Sequence, residues 1–83
     1  NLDLDLTVYN DEGHAIQKVH TLETYFKALD GLPAEALALE ANKETARELM
    51  KVILNAGFSE KKTEQHREKV KSYFVEANDD VSN

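Results

Sequence analysis

The chain has 83 residues and no cysteine, and its 16 acids against 10 bases leave a net charge of -6. A chain this short forms one domain that buries roughly 60% of its unfolded surface, and without thiols a disulfide framework, a cysteine nucleophile and a thiolate metal site are excluded. Apolar residues at 41% and charged residues at 31% fit a globular domain rather than a disordered one; the strongest apolar run, Val52-Ile53-Leu54, is far too short to cross a membrane, and a soluble, cytoplasmic protein is expected.

The first segment, Leu2 to Tyr9, alternates apolar and polar residues, the period of a strand with one buried face. Asn10-Asp11-Glu12-Gly13 supplies turn formers ending in a glycine able to take a positive φ, so a hairpin over residues 2–19 is expected. With Asp11, Glu12 and Gly13 as the loop, Val8 would face Ile16 and Leu6 would face Lys18, putting Leu4, Leu6, Val8 and Ile16 on the buried face.

Helices follow. Thr21 is a candidate N-cap for a helix over residues 21–30, where Leu22, Tyr25, Phe26 and Leu29 recur at helical spacing and Glu23 suits the first turn. Gly31 fits a left-handed C-terminal position, Leu32 can fold back on Phe26, and Pro33 suits the first turn of the next helix. Residues 33–56 are rich in helix formers, and Leu37 or Ala38, Ala41, Thr45, Leu49, Val52 or Ile53, and Ala56 trace an inward stripe. Asn42 could cap a fresh start and divide that helix in two. Gly57 and Phe58 mark its end, with Phe58 packing back on Val52 or Ile53, and Ser59 caps a last helix over residues 59–77. The expected fold is α+β and predominantly helical: a β-hairpin on three or four α-helices, one domain over residues 1–78, with a frayed acidic tail over 79–83.

Few residues point to catalysis. His14, His20 and His66 lack any metal-ligand spacing, and no HExxH, GxSxG or glycine-rich phosphate loop is present. The turn resembles a calcium loop only superficially, since the first and twelfth ligand positions would be Val8 and Val19. Asp3 and Asp5 share a strand face, but exposed strand acids ordinarily discourage edge pairing rather than transfer protons. No enzyme, cofactor or metal is expected.

Charge is uneven. Residues 1–42 hold eight acids against Lys18 and Lys27, whereas residues 43–83 hold eight of each sign. The last helix carries Lys61, Lys62, Arg67, Lys69 and Lys71, a candidate nucleic-acid face, yet Glu60, Glu64 and Glu68 leave residues 59–71 only +2 and offer intrahelical pairs such as Glu64–Arg67 and Glu68–Lys71. A helix-turn-helix also wants a small residue before the turn glycine and an apolar one after it, where Ile53 and Thr63 stand. The inward stripe of that helix, Thr63, His66, Val70, Tyr73 or Phe74, and Ala77, is apolar only in its second half.

The expected function is a small noncatalytic protein–protein interaction or regulatory module that binds another protein or itself, with Thr63, His66, Arg67, Val70 and Tyr73 as the contact surface and the stripe Ala41, Leu49, Val52 and Ala56 as a route to self-association. Two alternatives stand beside it: a nucleic-acid-binding regulator using the basic residues of the last helix, and an acidic DNA-mimic-type inhibitor presenting Asp3, Asp5, Asp11, Glu12 and Glu23.

Overall fold

A computed structural model of the chain describes residues 3–74. The order is β1 (Leu6–Tyr9), β2 (Ala15–Val19), α1 (Leu22–Asp30), α2 (Ala34–Leu37), α3 (Glu40–Leu54) and α4 (Glu60–Tyr73), an antiparallel hairpin packed on four helices. Phe74 is the C-cap of α4; residues 75–83, where the last helix was expected to run on to Ala77 and the tail to fray, lie outside the described residues.

The hairpin loop forms as its residues dictate. Gly13 has φ +84, and Asn10 Oδ1 accepts the N–H groups of Glu12 and His14, both at 2.9 Å. The register beyond the loop corrects the expected one. Tyr9 pairs with Ala15, but Val8 pairs with Gln17 and Leu6 with Val19, because the ladder shifts between Val8 and Tyr9 and leaves Ile16 without a partner. That bulge moves β2 by one residue, and with a side-chain period of two the faces exchange. Ile16, expected inside, is 51% exposed, and Val19 takes the inner place at 0%.

Local chemistry sets most helix ends. Thr21 and Thr24 form a reciprocal capping box, Oγ1 of Thr21 accepting from Thr24 N–H at 3.1 Å and Oγ1 of Thr24 accepting from Thr21 N–H at 3.2 Å. Ser59 Oγ accepts from Lys62 N–H at 3.1 Å at the start of α4, and Gly57, with φ +86, takes the left-handed turn before it. Gly31 does not: its φ is -91, since Gly31 and Leu32 close α1 with turn bonds to Ala28 and Leu29. Pro33 is the N-cap of α2 rather than a residue of its first turn.

The 33–56 segment is two helices, but Asn42 is not the residue that starts the second. α3 begins at Glu40 behind an extended Leu39, with no side-chain cap, and Asn42 is turned inward, 2% exposed. Its Oδ1 accepts Tyr9 N–H at 3.0 Å, while its Nδ2 donates to Tyr9 C=O at 2.8 Å and to Ala36 C=O at 2.9 Å. One amide therefore imitates a neighbouring strand for β1 and ties α2 to it. Thr45 Oγ1 adds a bond to Thr7 C=O at 3.1 Å. As a consequence the inward stripe of α3 is Asn42, Ala46, Leu49 and Ile53, one position on from the expected Ala41 and Thr45.

The core gathers Leu4, Leu6, Val8 and Val19 from the hairpin, Tyr25 and Leu29 from α1, Ala46, Leu49 and Ile53 from α3, and Val70 and Phe74 from the end of α4. At roughly 25 cal/mol per Å² of apolar surface removed from water, such burial is the dominant stabilising term. Tyr25 is 1% exposed, and its hydroxyl has no hydrogen-bond partner among the described residues.

Two stability outcomes are expected. Asn42→Leu strands the Tyr9 and Ala36 groups in the interior and lowers unfolding free energy by about 2–4 kcal/mol, visible as a large drop in urea midpoint beside an unchanged Lys43→Ala control. Tyr25→Phe removes a hydroxyl that bonds nothing, so thermal unfolding shows the same midpoint or one raised by up to about 1 kcal/mol of stability.

Candidate functional site

The two halves of α4 are held differently. In the second half Val70 is 0% and Phe74 4% exposed, and Tyr73 stacks on Phe26 of α1 with ring centroids 5.9 Å apart. Tyr73 also donates its hydroxyl to Asp30 Oδ1 at 2.6 Å, and that bond, with lesser contributions from burial and the carboxylate charge, pushes its pKa up to about 12. Lys69 sits over the Phe26 ring, Nζ 4.8 Å from the centroid. In the first half the inward residues are the half-buried Thr63, His66 and Arg67. His66 lies against Phe58, centroids 4.9 Å apart, and the Arg67 Nε has no hydrogen-bond partner among the described residues.

His66 borders a concave feature lined by both apolar and titratable side chains. An open groove of about 550 Å³ lies where the hairpin end, the start of α1 and the α3–α4 turn meet; Asp3, His20, Leu22, Glu23, Phe58 and His66 line it, with Thr21 at its side. Each is positioned by a local rule. The left-handed Gly57 throws Phe58 back onto the core, the capping box fixes Thr21 to Glu23, and His20 is held by its Nδ1 at 3.0 Å from Leu4 O. Partial burial, reinforced by the nearby Lys62 charge, lowers the pKa of His66 below its ordinary value. The charged form of His66 is correspondingly disfavoured. The groove offers two carboxylates, two imidazoles and the apolar sides of Leu22 and Phe58.

Of the expected contact residues, Thr63, His66, Arg67 and Tyr73 keep some exposure, but Val70 does not: it is a core residue and cannot touch a partner in the folded state. The self-association stripe is likewise divided, because Leu49 is 0% exposed inside the chain's own core while Ala41 faces solvent. Sequence reading placed His66 correctly on an inward stripe but missed its neighbours Phe58, His20 and Leu22, which come from three other segments. Of these only the Gly57-Phe58 turn carried a local signal.

The basic residues do not make one face. At 3.6 residues per turn Lys62 and Lys69 fall on one side of α4 and Arg67 and Lys71 on another, and Lys69 is engaged with Phe26. The expected Glu64–Arg67 and Glu68–Lys71 pairs do not form among the described residues, where Arg47 pairs with Glu40 at 3.2 Å and the His14 ring lies 3.6 Å from the Glu12 carboxylate. The acids are dispersed too. Asp11 and Glu12 sit in the hairpin turn, Asp3 and Glu23 in the groove, and Asp5 in a separate notch of about 260 Å³ beside Glu44 and Glu48 of α3. Among the described residues no group of three or more His, Cys, Asp or Glu is placed to hold a metal ion, and no helix is long and apolar enough to cross a membrane.

His66→Asp at this rim is expected to cost no more than about 1 kcal/mol, whereas Val70→Asp buries an unpaired charge and abolishes cooperative unfolding; circular dichroism melts of the two variants separate these outcomes. A group with a lowered folded-state pKa, for histidine, binds its proton more weakly in the native state. The stability tied to His66 is thus fully present above pH of about 6.5 and lost as pH falls through the native value. Wild type should lose more urea resistance between about pH 6.5 and 5 than His66→Gln does. No protein-family model matches the chain, and neither does any curated protein or solved structure.

Proposed function

We propose that the protein is a small noncatalytic protein–protein interaction module, acting in the cytoplasm, whose contact surface is the groove between the hairpin end, the start of α1 and the first half of α4. The observation that carries this reading is the groove itself: half-buried Leu22, Phe58 and His66 are left uncovered beside a polar rim, the arrangement of apolar anchor and polar surround that protein interfaces use. The first half of α4 supports it, because a helix start with so little apolar surface gains little from its own core. A fold-level label adds nothing here, since function resides in the site.

A second reading, an acidic inhibitor that mimics nucleic acid, draws on Asp5, Glu44 and Glu48, which β1 and α3 bring to one notch. Nucleic-acid binding through α4 draws only on cations that the helix divides between two faces.

Affinity capture from native lysate, run with and without nuclease, tests the first reading. Wild type should retain a protein partner in both conditions, and His66→Lys should lose it by about tenfold or more while still unfolding cooperatively. Retention by His66→Lys equal to wild type overturns the groove as the contact surface, and recovery that vanishes with nuclease overturns protein binding. Loss of the partner only in a variant with Asp5, Glu44 and Glu48 changed to Asn or Gln favours the mimic.

A further inference from the structure

We infer that the groove receives a basic side chain, arginine or lysine, from the partner, its aliphatic stem on Leu22 and Phe58 and its charged head between Asp3 and Glu23. The inference rests on the protein-binding reading above and names the chemistry of the partner. Asp3 and Glu23 are the acidic residues of the lining, which contains no lysine or arginine. They stand beside the two apolar walls, a pairing that suits an amphipathic cation better than either a neutral apolar chain or an anion. The Phe58 ring, already in contact with His66 at 4.9 Å, adds a π face on which a guanidinium can lie.

The groups facing the site do not all favour a cation. Lys62 is near enough to His66 to act on its titration, and the positive end of α1 opens beside Thr21. Glu23 in the first turn of α1 offsets the helix end, and Lys62 is not among the lining residues. Of the eight acids in residues 1–42, Asp3 and Glu23 are the two that line the groove.

The test uses the full chain and two blocked dipeptides, acetyl-leucyl-arginine methylamide and its citrulline counterpart, which has nearly the same shape and no charge. Proton NMR follows the His66 and Phe58 ring signals as each is added at pH 7.5. The expected result is saturable movement of both rings with the arginine probe, binding at least fivefold weaker with citrulline, and loss of that preference in Asp3→Asn/Glu23→Gln. Equal response to the two probes, no response to either, or an arginine preference that survives in the double variant overturns the inference. A blocked leucyl-glutamate probe that moves the rings more than the arginine probe does overturns it as well. These failures are distinct from failure of the protein-binding reading, which is decided by whether His66→Lys loses the captured partner.

Discussion

Everything in this fold turns on how a two-stranded hairpin is kept in place. Two strands alone are marginal in water, and the outer edge of β1 would expose backbone groups in a place too dry to leave them unpaired. Asn42 resolves both difficulties with one side chain. Because it accepts from Tyr9 N–H and donates to Tyr9 C=O, it behaves toward β1 as a third strand would, and its second amide hydrogen reaches Ala36 C=O. A buried amide satisfied on three of its four bonding positions is worth keeping only because its partners are buried backbone groups. The short α2, the break at Leu39 and the phase of α3 are all consistent with bringing that amide to the strand.

The hairpin is thus gripped along β1 and left open along β2. From Ala15 to Lys18 every residue of β2 is exposed, and only Val19 enters the core. The bulge at Ile16 and the charge of Lys18 both protect an edge from pairing with other chains. The groove lies away from that open edge, at the end of the hairpin where Asp3 and His20 meet α1 and α4.

α4 shows how a helix can serve fold and surface in succession. Its last turns are fastened by Val70, Phe74, the Tyr73–Phe26 stack and the Tyr73–Asp30 bond. Its first turns have only Thr63, His66 and Arg67 to set inward, and none is an apolar residue able to fill a core position. The uncovered apolar surface that results is Phe58 and Leu22, beside His66, and a groove is the geometric consequence.

Much of this was legible in the residue order, for physical reasons that act over short range. Alternation gave β1 its buried face, Asn10 and Gly13 specified the loop, Thr21 and Ser59 marked helix starts, and Gly57 marked a helix end, because capping and turn chemistry depend on neighbours within a few positions. The inward stripe of α4, including His66, followed from helical period alone. What only the tertiary structure decided was how these pieces met. Asn42 read as a local cap because asparagine commonly is one, and nothing near it in sequence names Tyr9, far back in the chain, as its partner. A single bulge at Ile16 reversed which β2 side chains lie inside, since a period of two leaves no intermediate register. Phe58, His20 and Leu22 came to line one groove with His66 only when separate segments were packed around one small core, and no local pattern in a chain carries that information.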